Sequence, residues 1–297
     1  MNKFTGQPVF SWPEGSFWMP LRRLINRHRI NAVQRGEKIP ILVYQMGKVA
    51  SKTIYATLQR LPDIQPFHIH TLNPVNMDRR KTRNNGLNAR QPEHINFQLW
   101  RSIYQRLILE YENQIKIITL IREPVGRNIS AFFQGLDMRT RIKAAHKRIP
   151  MSQLIDKFQN HFPHVRPLVW FDKELLEVTG INVYEHPFPK EQGYQRIMTE
   201  KFDLLILRHD LPDDLKAKCL CDFLGRHDIR IVPANLSDKK IYRDCYLEFQ
   251  RTINLSTEYV SQMLDSRYAR HFFTDEELES LKLKWLRQNQ LNHSLSY

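Results

Sequence analysis

The chain has 297 residues, of which 41% are hydrophobic and 26% are charged, a balance that is ordinary for a globular protein. This length allows one large domain or two small ones with a buried core, which excludes disorder as the main state and a miniprotein built on disulfides. Lysine and arginine outnumber aspartate and glutamate by 45 to 31, a formal net charge of +14, so we expect a polyanionic partner.

Cysteine usage and hydropathy bear on localisation. The three cysteines include the Cys-x-Cys pair Cys219 and Cys221, which is not the pattern of a secreted disulfide framework. No apolar run approaches the ~20 residues that span a bilayer. Residues 1–10 also lack the continuous apolar core of a signal peptide. We therefore expect a cytoplasmic protein.

Residues 1–38 are predicted to form an N-terminal arm rich in aromatic and basic side chains. One face of a predicted helix in this arm carries Leu21, Leu24, Ile25 and His28. Arginines lie largely on the other face. Two interpretations stay open: a basic amphipathic helix that rests on the anionic inner face of a membrane, and an arm that packs over the core.

From residue 39 onward, predicted strands alternate with predicted helices. The strands are the short apolar runs 40–44, 64–69, 115–121, 183–184 and 203–207. The clearest helices are 97–111, 124–135 and 215–224, whereas the polar stretch 77–93 is predicted to be a loop. This alternation predicts an α/β core over residues 39–235, built on a mainly parallel central sheet.

The pattern over residues 236–297 is helical only, which predicts a C-terminal extension that packs on the core. Thr274 followed three residues later by Glu277 is the sequence signature of a capping box. In this motif the side chain of each residue accepts a hydrogen bond from the backbone N–H of the other.

The segment 44–53 (YQMGKVASKT) joins the first predicted strand to a helix through a tight loop. Free N–H groups and the positive end of the helix dipole attract phosphate at such a point. Lys48 adds a point charge, and Ser51 and Thr53 add hydroxyl donors. The order of residues is not that of a Walker A loop. An ordinary strand–helix turn with a solvated lysine is the alternative.

A second candidate anion site follows the strand 115–121. Arg122 comes directly after this strand, and Arg127 and Ser130 share a face of the next helix because they are three residues apart. A guanidinium and a hydroxyl that converge on one point can bind an anion. The alternative is a surface ion pair and an ordinary helix-interior serine.

Together these motifs resemble the sulfotransferase superfamily, and most closely a bacterial family named for putative capsular polysaccharide synthesis. The resemblance extends from about residue 41 to 285. It is carried mainly by the segments 44–51, 67–70, 119–124, 128–133 and 170–172. It implies a P-loop-like three-layer sandwich with a helical C-terminal extension.

The resemblance also implies a donor, 3′-phosphoadenosine 5′-phosphosulfate (PAPS), and no metal. In the superfamily, the early loop holds the 5′-phosphosulfate, and a later arginine and serine hold the 3′-phosphate. The residues implied for donor binding are Gly47, Lys48, Val49, Ala50, Ser51, Lys52, Thr53, Arg122, Arg127 and Ser130.

The implied reaction transfers a sulfuryl group to a hydroxyl of a glycan or glycolipid in capsular or surface polysaccharide synthesis. Lys48 would neutralise charge on the leaving oxygen, and a histidine would act as general base. His68 and His70 are two apart on a strand and so share a face. We favour His70 as the base, because it lies nearer the carboxyl end, where α/β sites open.

Two arginine-rich stretches, 79–90 and 139–148, suit an acidic polysaccharide acceptor. Two other functions stay open: a non-catalytic glycan-assembly protein on the same fold, and a P-loop-like small-molecule kinase. No specific nucleic-acid partner is expected, because the sequence has no helix-turn-helix, zinc-finger or aromatic RNA-binding signature.

Overall fold

The computed structural model describes residues 19–83, 92–232 and 241–293, and its core contains a five-stranded sheet. The strands are β1 (Ile39–Tyr44), β2 (Ile64–Ile69), β3 (Ile115–Ile121), β4 (Tyr194–Met198) and β5 (Phe202–Arg208). Their order across the sheet is β2-β1-β3-β5-β4. Only β4 is antiparallel to its neighbour. The α/β fold with a mainly parallel sheet is therefore confirmed.

Helices precede the sheet, connect its strands and follow it. Helix α1 (Met19–Gln34) precedes the sheet. Between β1 and β3 lie α2 (Ser51–Leu58), α3 (Pro74–Arg83) and α4 (Pro92–Ile103), the last continued by a π-helical stretch at Tyr104–Leu109. Between β3 and β4 lie α5 (Pro124–Gln134), α6 (Leu136–Thr140), α7 (Ala145–Arg148), α8 (Met151–His161), α9 (Arg166–Trp170), a π-helical stretch at Phe171–Leu176 and α10 (Glu177–Thr179). After β5 come α11 (Asp213–Leu224), α12 (Arg243–Thr252), α13 (Thr257–Leu264), α14 (Arg267–Phe272) and α15 (Asp275–His293).

One strand prediction is wrong, and one strand was not predicted. The predicted strand 183–184 is wrong, because Val183–Glu185 forms a 3₁₀ turn in which Asn182 Oδ1 accepts a hydrogen bond from the Tyr184 N–H. Strand β4 was not predicted, because it lacks a continuous apolar run. It lies at the sheet edge and exposes Arg196 and Met198.

The predicted loop 77–93 is also wrong in part. Helix α3 starts at Pro74, and Asn73 Oδ1 accepts from the Val75 N–H at 2.9 Å. Asparagine followed by proline is a common way to begin a helix. That local signal outweighs the polar composition of the segment.

Helix α1 packs on the rest of the chain through its second half. Ile30 and Val33 are buried, and the Arg29 guanidinium donates to the Pro66 carbonyl on β2. The packing interpretation of the arm therefore holds for this half, whereas residues 1–18 lie outside the described residues. The boundaries at residues 38 and 235 stay predictions.

One buried carboxylate ties three strands together. Asp203 on β5 accepts hydrogen bonds from Lys116 Nζ on β3 at 2.5 Å and from Arg196 Nε on β4 at 2.7 Å. Burial raises the pKa of Asp203, but the hydrogen bonds from Arg196 and Lys116 outweigh burial and hold the pKa below its usual range. Asp203 is therefore ionised at neutral pH.

The predicted capping box is confirmed. The Glu277 N–H donates to Thr274 Oγ1 at 3.2 Å, and the Thr274 N–H donates to Glu277 Oε2 at 2.9 Å. The same carboxylate accepts two hydrogen bonds from the Arg208 guanidinium, so it also connects α15 to the end of β5.

Within the described residues, no helix combines the length and the apolar character that crossing a bilayer requires.

Asp203→Asn is expected to lower the free energy of unfolding by about 3 kcal/mol, because Lys116 and Arg196 lose their shared counter-charge. Urea denaturation followed by circular dichroism measures the change. The exposed Asp222, which pairs with Lys218, supplies the control Asp222→Asn, whose effect should stay within about 0.5 kcal/mol. Equal stability of Asp203→Asn and the wild type at neutral pH would contradict this account.

Candidate functional site

The strand order places a crevice between the carboxyl ends of β1 and β3. From β1 the chain crosses to β2 on one side, and β3 then pairs with β1 on the other side. Ligands of open α/β sheets bind where the strand order reverses in this way. The loop 45–50 after β1 and the turn 122–123 after β3 both leave the sheet at this point. The two predicted anion-binding segments therefore meet.

The loop 45–50 has an unusual backbone. Gly47, Lys48 and Ala50 adopt left-handed conformations with φ of 81°, 66° and 61°. A non-glycine residue with positive φ is uncommon and persists only where its surroundings enforce it. Two of the three are not glycine, so contacts from elsewhere in the chain must hold the loop in this shape.

Two arginines from the segment after β3 supply those contacts. Arg127 donates from Nε to the Gly47 carbonyl at 3.2 Å and from Nη2 to the Met46 carbonyl at 3.0 Å. Arg122 donates from Nη1 to the Lys48 carbonyl at 3.3 Å. The carbonyls of three consecutive residues are thus turned toward two guanidinium groups.

The direction of these carbonyls fixes the direction of the amides. All described peptide bonds are trans, and in a planar trans peptide the C=O and the following N–H point to opposite sides. The N–H groups of Gly47, Lys48 and Val49 are therefore directed away from the arginines. Gln45 Oε1 accepts from the Gly47 N–H. The N–H groups of Lys48 and Val49, and the first amides of α2, are therefore candidate donors to an anion.

The charge of Arg122 interacts with the Glu123 carboxylate, but neither Arg122 nor Arg127 has a carboxylate within ion-pair distance in the described part of the chain. Arg127 is buried, and no carboxylate there forms an ion pair with it or with the half-buried Arg122. The nearby Glu123 carboxylate caps α5 by accepting from the Val125 and Gly126 N–H groups. Burial lowers the pKa of Arg127 to about 10, so it remains charged at neutral pH. The crevice therefore carries the positive charge of two guanidinium groups, with the Glu123 carboxylate beside Arg122.

His68 and His70 lie side by side, as their spacing predicts, with ring centroids 4.7 Å apart. Gln45 Nε2 contacts His68 Nε2 at 3.1 Å and His70 Nδ1 at 3.0 Å, and Ser51 Oγ lies 2.9 Å from His68 Nε2. The His70 ring lies against Gly47, since a Cβ placed there would be 3.7 Å from Cε1. Both rings therefore border the loop.

The two histidines differ in their electrostatic surroundings. Burial, with a smaller contribution from the charge of Lys52, lowers the pKa of His68 to about 4. His70 instead has the Gln45 carbonyl 3.0 Å from Nδ1, and this oxygen accepts from a protonated Nδ1. His68 is therefore neutral at neutral pH, and His70 Nδ1 has both the carbonyl and the side-chain amide of Gln45 within hydrogen-bond distance.

His209 is a crevice residue that the sequence did not single out. It follows β5, and its N–H donates to the Ile121 carbonyl beside Arg122. Burial and then the charge of Arg122 lower the pKa of His209 to about 4. Its Nδ1 is buried without a hydrogen-bond partner among the described residues. The apolar strand that precedes it was the only local signal.

Two tyrosines from the C-terminal helices position Arg122, and these were also missed. Tyr268 on α14 donates from its hydroxyl to the Arg122 carbonyl at 2.9 Å and accepts from the Arg122 N–H at 3.3 Å. Tyr246 on α12 makes a side-chain hydrogen bond with Arg122. No spacing pattern in the sequence predicts a contact between residues so far apart in the chain.

Glu174 shapes the segment that follows β2. This buried carboxylate accepts from the Tyr44 hydroxyl at 2.8 Å and from the N–H groups of Leu72 and Asn73 at 3.1 and 3.2 Å. It thereby connects the end of β1 to the exit of β2, next to the two histidines.

The other residues predicted to bind the donor differ in their exposure to solvent. Lys48 and Thr53 are half-buried, Lys52 is exposed, and Ser130 is buried on α5. Arg127 contacts the loop backbone, so its predicted role in donor binding stays a prediction. The side chains of the arginine-rich stretch 79–90 lie outside the described ones.

Comparison with known proteins gives one match. Residues 146–274 match the family model NKWYS, described as a putative capsular polysaccharide synthesis protein. No curated protein and no solved structure matches the chain. The matched segment contains Tyr246 and Tyr268 but not the loop 45–50 or Arg122. The capsular part of the predicted resemblance is supported over this segment, whereas the likeness to sulfotransferases stays a prediction.

His68→Gln is expected to reduce the loss of stability on acidification. The pKa of His68 is about 4 in the folded chain and about 6.5 when unfolded, so the unfolded state binds the proton first as pH falls. Between pH 7 and pH 5, wild-type unfolding free energy should therefore fall by about 2 kcal/mol more than that of the variant. Urea denaturation at the two pH values measures the difference.

The exposed His161 supplies the control, since His161→Gln should keep the wild-type dependence on pH. A His68 ring resonance that titrates near pH 6.5 in an NMR experiment would contradict the account.

Proposed function

We propose that this chain is a PAPS-dependent sulfotransferase that modifies a hydroxyl of a glycan or glycolipid during capsular or surface polysaccharide synthesis. We further propose that the sheet is the core of a P-loop-like three-layer sandwich. The observation that carries the proposed activity is the pair of guanidinium groups, Arg122 and Arg127, that contact the loop 45–50 at the switch point of the sheet without an ion pair to a described carboxylate. The NKWYS match supports the polysaccharide part.

The crevice residues fit a nucleotide with two separate anionic groups. Because the amides of Lys48 and Val49 point away from the arginines, the loop offers one anion-binding side and Arg122 the other. The first side suits the 5′-phosphosulfate, with Lys48 and Ser51 beside it. The second side suits the 3′-phosphate, with Ser130 as a further candidate donor.

PAPS supplies the sulfuryl group and leaves as 3′-phosphoadenosine 5′-phosphate (PAP). The protein then has two tasks, to stabilise charge on the departing oxygen and to take the acceptor proton. Lys48 and the loop amides serve the first task. The positive φ of Gly47 and Lys48, enforced by Arg127, keeps those amides fixed before the donor arrives.

His70 serves the second task. In the tautomer whose Nδ1–H donates to the Gln45 carbonyl, Nε2 carries the lone pair and is the atom that accepts the proton. The ring lies against Gly47, so the base borders the loop that would hold the donor. His68, with its lowered pKa, is the weaker base and is assigned to holding Ser51 at the start of α2.

Wild-type protein is expected to bind PAP in a calorimetric titration, and Arg122→Ala to weaken this binding about 10- to 100-fold through loss of a charge-assisted contact. The exposed Lys218 supplies the control, because Lys218→Ala removes one positive charge from a different surface. Its affinity for PAP should stay within about twofold of the wild type. ATP with Mg²⁺, titrated in parallel, should bind more weakly than PAP.

Three results would overturn the proposal. They are no heat with PAP, tighter binding of ATP with Mg²⁺ than of PAP, and undiminished PAP binding by Arg122→Ala. The second result favours the kinase alternative.

His70→Gln is expected to keep PAP affinity and to lower the rate of transfer about 100-fold or more, because the base is lost while the donor contacts remain. Incorporation of ³⁵S from labelled PAPS into a panel of unsulfated polysaccharides measures the rate. His68→Gln is the matched control and should lose less activity. Full activity of His70→Gln, with loss in His68→Gln, would contradict the assignment of the base.

A further inference from the structure

Helix α1 exposes leucines beside arginines on the side that faces away from the core. Leu24 is 64% exposed and Leu21 is 41% exposed, although Ile30 and Val33 on the same helix are buried. Residues 21, 24 and 28 are three and four apart and so line one stripe. An exposed apolar stripe of this kind needs a partner or a solvent other than water.

The charge of α1 is of one sign. The helix contains four arginines and neither aspartate nor glutamate. Arg29 packs inward, where its guanidinium lies 4.8 Å from the centre of the Phe67 ring. Arg23 and Arg27 are exposed, and in the described part of the chain no carboxylate forms an ion pair with either. Arg23 and Arg27, four residues apart, therefore form a neighbouring stripe that borders the leucine stripe on the side of Leu24.

A cavity of about 300 Å³ opens between α1 and α4 next to these arginines. Three guanidinium groups and an apolar floor line it, from Arg23, Arg27, Arg106, Ile30 and Leu99, and Ser102 adds a hydroxyl. The Arg106 guanidinium donates to Asn31 Oδ1 at 2.7 Å, so one of the three guanidinium groups is fixed before any ligand arrives. The volume and the charge suit a phosphate with its neighbouring glycerol oxygens.

We propose that α1 and this cavity bind an anionic phospholipid bilayer. A lipid phosphate enters the cavity between Arg23, Arg27 and Arg106, and Leu21 and Leu24 enter the interfacial layer. A soluble polyanion such as an acidic glycan would use the arginines but would leave the leucines in water, which is why the bilayer is favoured. This surface is separate from the crevice beside β1, and the proposal does not depend on the proposed activity.

Co-sedimentation of the full-length protein with vesicles tests the proposal. Binding to phosphatidylcholine vesicles with about 30% phosphatidylglycerol should exceed binding to phosphatidylcholine alone about tenfold or more, and high salt should weaken it. The double variant Arg23→Gln with Arg27→Gln should lower binding about 30-fold, because each charge contributes about fivefold to vesicle affinity. Leu24→Gln should lower binding several-fold at unchanged charge.

Lys218→Gln with Arg243→Gln removes the same charge from two other exposed sites and should leave vesicle binding within about twofold of the wild type. All substituted residues are exposed, and circular dichroism checks that each variant is folded. Equal binding to both vesicle types, or unchanged binding by the double arginine variant, would overturn the proposal. So would a Leu24→Gln variant that binds like the wild type, because the arginines would then serve a soluble polyanion.

Discussion

The candidate site depends on hydrogen bonds from two arginine side chains to three consecutive carbonyls of the loop after β1. Arg127 binds the carbonyls of Met46 and Gly47, and Arg122 binds that of Lys48. These bonds stabilise a backbone with positive φ that would otherwise be costly. Because a trans peptide directs C=O and N–H to opposite sides, the same bonds orient the loop amides away from the arginines. The shape of the loop and the direction of its amides therefore have one cause.

Two sets of buried charges differ in their partners. Asp203 is neutralised by Lys116 and Arg196, and Arg208 is neutralised by Asp210 and Glu277, so these clusters hold strands and helices together. Arg122 and Arg127 have carbonyl and tyrosine partners among the described residues and no ion pair there, although the Glu123 carboxylate interacts with Arg122. An internal ion pair stabilises the fold, whereas a desolvated cation without a counter-charge is stabilised further when an anion binds. This contrast separates the site from the scaffold.

The sequence predicted what depends on local pattern and on the geometry of parallel sheets. The buried strands have near-continuous apolar runs, and Lys48 and Arg122 could be placed together because both follow parallel strands. Strand β4 was missed because an exposed edge strand lacks that run. Tyr246 and Tyr268 could not be predicted, because they reach Arg122 through helix packing across more than a hundred residues of chain.

We propose that the amides of Lys48 and Val49 bind an anion on the side of the loop opposite the arginines. Amide chemical shifts during a titration with PAP test this most directly. We expect saturable shifts that are largest at Lys48, Val49 and Ser51, and their loss in Arg127→Ala, which removes the contacts that orient the loop. Unchanged shifts at these three amides while PAP binds, or equal shifts in Arg127→Ala, would contradict it.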